Sequence, residues 1–195
     1  MVDVTTSELI LGGQKSGKSR RAETLARDWL LESPQHHAVL IATAQPWDDE
    51  MRARIARHQA DRALRVPSMT TVEEPMKLAE AIQHHSHANT LVVVDCLTLW
   101  LTNLLMPAHD EEFEQNRPLA LAENTWTAAL LIAIENARGP VVLVGNEIGL
   151  GVIPLGAEVR AFVDALGQLN QAAARACRRV TLMVAGLPLT LKATM

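Results

Sequence analysis

The sequence predicts an α/β fold, a mostly parallel central sheet with helices on its faces. Three observations carry that expectation. Short apolar runs rich in Val, Leu and Ile recur along the chain, without the polar alternation of a half-exposed strand. Helical segments separate them, as crossovers between parallel strands require. A glycine-rich stretch, Gly12–Ser19, stands between the first apolar run and the first helical segment.

The elements follow in order. The run ELIL (Glu8–Leu11) predicts the first strand, and Lys18–Leu31 the first helix. AVLIAT (Ala38–Thr43) predicts a strand, and Asp48 to about Arg62 an arginine-rich helix, with a loop around Pro67. A helix over Pro75–His85 leads to the strand LVVVD (Leu91–Asp95). The stretch Pro107–Pro118 is acidic, polar and bounded by prolines, which reads as a surface loop. A helix over Leu119–Ala137, the strand VVLVG (Val141–Gly145), a helix from about Ala157 to Arg178 and the strand VTLMVAG (Val180–Gly186) complete the pattern. No repeat or low-complexity tract interrupts it, and residues 1–195 read as one domain.

Composition narrows the functional classes. The chain is 48% apolar and 21% charged, which excludes wholesale disorder. A net charge of −4 supplies no basic field to attract nucleic acid or an acidic membrane, so a bound anion must be held locally. Aromatic residues at 3% leave no stacking platform for bases. Cys96 and Cys177 form no CxxC pair and read as buried free thiols. Without a signal-like N-terminus or an apolar run near ~20 residues, the expectation is a cytoplasmic protein with no membrane insertion.

Gly12-Gly13-Gln14-Lys15-Ser16-Gly17-Lys18-Ser19 matches G-x-x-x-x-G-K-[ST] in full, between a strand and a helix. Glycines let backbone N–H groups turn inward around phosphate oxygens, and the helix N-terminus adds its dipole. Lys18 is expected at the β- and γ-phosphates and the Ser19 hydroxyl at Mg²⁺. Asp95, closing LVVVD, is the second expected Mg²⁺ contact. The loop in VVLVGNEIGLGVIP either faces the same crevice or is a structural turn.

His58 has Arg54 one helical turn before it, Arg62 one turn after and Arg57 beside it. Such a face can grip phosphates and present an imidazole to a phosphorus atom, or it can be a solvated surface.

Taken together, ILGGQKSGKSRRAE, IATAQPWDDEMRARIARHQADR, VVVDCLTLWLTNLL, LVGNEIGLGVIP and RAFVDALGQLNQAAA resemble the bifunctional adenosylcobinamide kinase/adenosylcobinamide-phosphate guanylyltransferase family of cobalamin biosynthesis. The resemblance implies a RecA-like P-loop fold, a homotrimer, and Mg²⁺ with GTP and ATP as substrates. It implies phosphorylation of adenosylcobinamide, with ATP or GTP as donor. GMP then passes from GTP to adenosylcobinamide phosphate through a GMP–histidine intermediate on His58. It further implies a GTP site lined by Thr43, Ala44 and Gln45, by Gln59, Ala60, Asp61 and Arg62, and by Glu73 and Asp95, with Arg54 and Arg62 stabilising charge. ALRVPSMTT is longer than the family pattern, so Glu74 is the alternative to Glu73. Asp95 is a mild variation. Gln14-Lys15 stands where Ala-Arg is common; because these positions offer mainly backbone N–H groups, little functional change is expected. A monofunctional small-molecule kinase, or a nucleotide-binding module that switches a partner, remain the alternatives.

Overall fold

The structure is a computed structural model that describes residues 7–106 and 119–193, with the backbone alone for 119–124. The loop expected over Pro107–Pro118 lies outside the described residues.

The chain forms β1 (Glu8–Gly12), α1 (Lys18–Glu32), β2 (His37–Ala42), α2 (Asp49–Arg65), β3 (Met69–Glu73), α3 (Leu78–His85), β4 (Thr90–Asp95) and α4 (Leu97–Leu105). It continues through α5 (Leu119–Glu135), β5 (Val141–Val144), α6 (Ala157–Ala176), β6 (Arg179–Val184) and β7 (Leu187–Ala193). One seven-stranded sheet runs in the order β3-β2-β4-β5-β1-β6-β7, parallel except for β7, which pairs antiparallel with β6. The expected α/β class is borne out.

Alternation along the buried strands divides the core in two. Leu9, Leu11, Val92, Val94 and Leu143 pack with Ile82, Leu97, Leu101, Leu130, Leu166 and Leu169 on one face. Ile10, Leu40, Leu91, Val93 and Val142 pack with Ala22, Leu25, Ala26 and Trp29 of α1 on the other. Because both faces are covered, the strands read as continuous apolar runs. Glu8 is buried at the start of β1, where its carboxylate pairs with Arg21 at 2.8 Å and accepts from the Thr181 hydroxyl at 2.7 Å. That triad ties β1 to α1 and β6.

Three elements go beyond the sequence expectation. The expected loop at Pro67 is a turn over Pro67 and Ser68, and β3 directly after it is an edge strand with mostly exposed residues, so it has no apolar run. α4 is buried almost all round, which hides a helical period. β7 is an exposed edge strand, the sheet position that tolerates Pro188. Boundaries also shift. α2 extends to Arg65, and α3 begins at Leu78 because Glu74 turns the preceding residues. The run expected to end at Gly186 stops at Val184, before a turn in which Ala185 and Gly186 take positive φ.

Candidate active site

β1 ends at Gly12 and α1 begins at Lys18, so the glycine-rich motif is the corner between them. Gly12 has φ 154°, and a Cβ there would come within 2.6 Å of the Met183 carbonyl oxygen, so no other residue fits. Gly17 (φ 100°) and Lys15 (φ 55°) complete the inward turn. The corner is fastened on two sides: Glu147 N–H donates to the Gly12 carbonyl at 3.1 Å, and Gly186 N–H donates to the Ser16 carbonyl at 3.1 Å. The Ser16 hydroxyl is buried without a partner, an orphaned polar atom inside the cradle.

Lys18 is 8% exposed, and its ammonium donates to the Gly13 carbonyl at 2.7 Å across the mouth of the loop. Burial lowers its pKa from the ordinary lysine value; Cys96 and Asp95 pull it back up, and Arg54 pushes it down. Asp95 and Arg54 therefore both act electrostatically on the cradle lysine. Asp95 ends β4, which β5 separates from β1. A hydroxyl at Ser19 and a carboxylate at Asp95 are the hard oxygen donors that Mg²⁺ takes alongside phosphates and water. Among the described residues no three His, Cys, Asp or Glu side chains cluster as a metal cage. The donor set thus fits an ion that arrives with a nucleotide.

The register places other candidates along the same sheet edge. Ala42 pairs with Glu73 on one side and Asp95 on the other, so the residues after β2 face the crevice at the carboxyl ends of the strands. Thr43 is fully buried, and its hydroxyl is spent on the Cys96 backbone. Ala44 and Gln45 are half-buried, and the Gln45 side-chain oxygen has no partner. Glu73 and Glu74 differ in their hydrogen bonding. Glu74 accepts from the N–H groups of Met76 and Lys77 at 3.0 and 2.8 Å, which leaves Glu73 with the open carboxylate at the end of β3.

α2 starts from this edge, following the end of β2, and leads to the start of β3. Asp48 caps it by accepting from Met51 N–H at 2.7 Å, and Asp49 and Glu50 suit its first turn. The Gln14 amide lies 2.7 and 3.0 Å from the two terminal nitrogens of Arg54; these can only donate, which orients the amide with its oxygen toward them as the acceptor of both. Two turns on, Arg62 is buried and donates to the Thr71 hydroxyl of β3 at 3.2 Å. His58 lies between these anchors, about 6 Å along the axis from each, with its ring exposed. Gln59, Arg62, Val66, Pro67, Met69 and Thr71 line a cleft of about 170 Å³ between α2 and β3, well above the roughly 30 Å³ of one water. Asp61 pairs with Arg65 at 3.3 Å, and Ala60 is exposed on the opposite side of the helix.

Several supporting residues escaped sequence reasoning, although the segments containing them stood out. Asn103 donates to the carbonyls of Thr43 and Pro75, bracing the ends of β2 and β3. The Thr98 hydroxyl accepts from Asn146 N–H at 2.9 Å, and Asn170 donates to the Asn146 carbonyl. The backbone of the loop after β5 is pinned to the cradle, and the Glu147 carboxylate accepts from Gly149 N–H within its own turn.

Comparison with known proteins agrees with this geometry. The flagellar accessory protein FlaH from Methanocaldococcus jannaschii superposes with a TM-score of 0.53 over 98% of this chain and 80% of its own, at 11% identity, a likeness of fold alone. The bifunctional adenosylcobalamin biosynthesis protein CobP of Pseudomonas aeruginosa is 45% identical over 95% of this chain and 96% of its own length. The bifunctional adenosylcobalamin biosynthesis protein CobU of Escherichia coli K12 is 35% identical over 94% and 98%. The family model described as cobinamide kinase / cobinamide phosphate guanyltransferase matches residues 8–191. With its cradle, its arginine-bearing helix and this match along nearly its whole length, the chain belongs to the cobinamide kinase / cobinamide phosphate guanyltransferase family.

Proposed function

We propose that this chain performs both reactions of its family, using the cradle for the first and His58 for the second. The observation that carries the reading is the Gln14–Arg54 contact, which brings the His58 helix to the mouth of the cradle.

In the kinase step, the backbone N–H groups of Gly12–Ser19 and the Lys18 ammonium hold the phosphates of ATP or GTP. The adenosylcobinamide hydroxyl attacks the γ-phosphorus in line, and positioning with charge neutralisation does most of the catalysis. Mg²⁺, when bound with the nucleotide, would be held by Ser19 and Asp95 and would neutralise phosphate charge.

In the second step a His58 ring nitrogen attacks the α-phosphorus of GTP. The bond to the bridging oxygen breaks and pyrophosphate leaves, with GMP on the imidazole. An oxygen of adenosylcobinamide phosphate then displaces the imidazole, giving adenosylcobinamide-GDP. Arg54 and Arg62 stabilise the developing negative charge. The cleft beside Gln59 and Arg62 receives the guanine base, with Glu73, Ala44 and Gln45 along its approach, while Ala60 and Asp61 support the helix. Exposed Leu150, Val152, Ile153 and Leu155 supply an apolar surface for a homotrimer. The protein acts in the cytoplasm.

The test uses α-labelled and γ-labelled GTP in turn. The expected result is acid-labile label from the α-position alone, absent in His58→Ala while phosphorylation of adenosylcobinamide continues. Full α-labelling of that variant removes His58 as the nucleophile. A wild-type protein that phosphorylates without ever taking α-label is a monofunctional kinase.

A further inference from the structure

The motif asks for no particular side chain at position 14, yet Gln14 is the residue that touches α2. Its amide oxygen accepts both arms of the Arg54 guanidinium. One oxygen held between the two terminal nitrogens fixes direction as well as distance.

α2 is fastened unequally along its length. Of its 17 residues only Arg62 is buried. Its C-terminal end is pinned three times. Arg65 pairs at 2.7 Å with buried Glu23 of α1, Arg62 donates to Thr71, and Val66 buries just past the last turn. The polar contacts of its first turn are local: Asp48 caps it, and Arg52 binds Asp49 and the Pro46 carbonyl. Among the described residues, Gln14–Arg54 is the one polar tie from the first half of α2 to another element. His58 follows Arg54 by one turn.

We infer that Gln14 is a positioning residue for His58: by gripping Arg54 it holds the N-terminal half of α2, and with it the imidazole, over the cradle. The inference rests on the guanylyl-transfer reading above, and it departs from the expectation that position 14, offering mainly a backbone N–H group, has little functional effect. A helix held firmly at one end and by one fork at the other pivots when the fork opens, so Gln14 pre-organises the attack at the α-phosphorus.

Two independent measurements test it. The first is amide hydrogen exchange of the nucleotide-free protein, comparing wild type with Gln14→Met and Gln14→Glu. Met keeps the length without an acceptor, whereas Glu restores an acceptor oxygen of the same reach. Expected is roughly tenfold faster exchange over residues 49–58 in Gln14→Met, little change over 60–66, and protection regained in Gln14→Glu. The second is single-turnover formation of α-label on His58. In Gln14→Met its rate constant falls by roughly tenfold, more than the apparent GTP affinity changes, and Gln14→Met/Arg54→Ala is no slower than Arg54→Ala alone. Unchanged exchange over 49–58, or Gln14 and Arg54 effects that add, overturns the inference. If the wild type takes no α-label, the guanylyl-transfer reading fails and the exchange result still decides whether the tie exists.

Discussion

Thr43 and Cys96 exchange two hydrogen bonds through one side chain: the Thr43 hydroxyl donates to the Cys96 carbonyl at 2.7 Å and accepts from the Cys96 N–H at 2.8 Å. The pair lies fully inside the protein and locks the end of β2 to the residue after Asp95. Thr43→Val therefore strands two buried backbone groups and is expected to cost about 2–4 kcal/mol. Calorimetry should show a Tm lower by roughly 5–10 °C, with Thr43→Ser much nearer wild type. A variant with normal Tm but weakened GTP binding would make Thr43 a ligand contact instead of a clamp.

Removing the cradle ammonium separates binding chemistry from folding. Lys18→Met is expected to slow both phosphorylation and α-labelling by at least about 10²-fold. Stability should hold, since a desolvated charge has been replaced by an apolar chain of similar length. Lys18→Arg should not rescue, because the planar fork does not fit a loop built around a point charge. Steady-state rates beside a melting curve check all three statements.

The C-terminal anchor of α2 is open to test through its arginine. Arg65→Ala leaves the buried Glu23 carboxylate unpaired. Because the arginine is partly exposed, the expected cost is modest, about 1–2 kcal/mol. Denaturant unfolding measures the loss, and faster hydrogen exchange over residues 60–66 localises it.

Both thiols are silent at neutral pH. Burial first, then the neighbouring Asp95 charge, pushes Cys96 up to about 11. Burial pushes Cys177 up to about 12. In the unfolded chain both ionise near 9.0. Each folded thiol thus holds its proton more tightly, so its contribution to stability is complete below pH 9.0 and is lost as pH rises toward 11 and 12. Native protein at pH 8 should resist iodoacetamide while the unfolded chain reacts at both positions. Cys177→Ala should flatten the alkaline fall in stability.

The exposed apolar stretch after β5 predicts assembly. Light scattering should give a trimer for the wild type and smaller species for Val152→Asp/Leu155→Asp, two positions that are 96% and 98% exposed in the single chain. A wild-type monomer at micromolar concentration would refute the trimer.

The eight residues of the cradle were legible from sequence alone because their chemistry is local. The positive φ of Gly12 and Gly17, and a lysine and serine opening a helix, are all written within one turn of chain. The strands β1, β2, β4, β5 and β6 were legible for a related reason: burial on both faces leaves an unbroken apolar run. Edge strands β3 and β7 carry no such signal, since most residues of each are exposed. The tertiary structure alone set Asp95 near enough to Lys18 to raise its pKa, joined the Thr43 hydroxyl to the Cys96 backbone, turned Glu74 onto the Met76 and Lys77 N–H groups, and brought Gln14 against Arg54. Most of these pairings join residues tens of positions apart through one or two hydrogen bonds or a charge. Such contacts follow from strand order and helix docking, and they leave no period in the sequence to read.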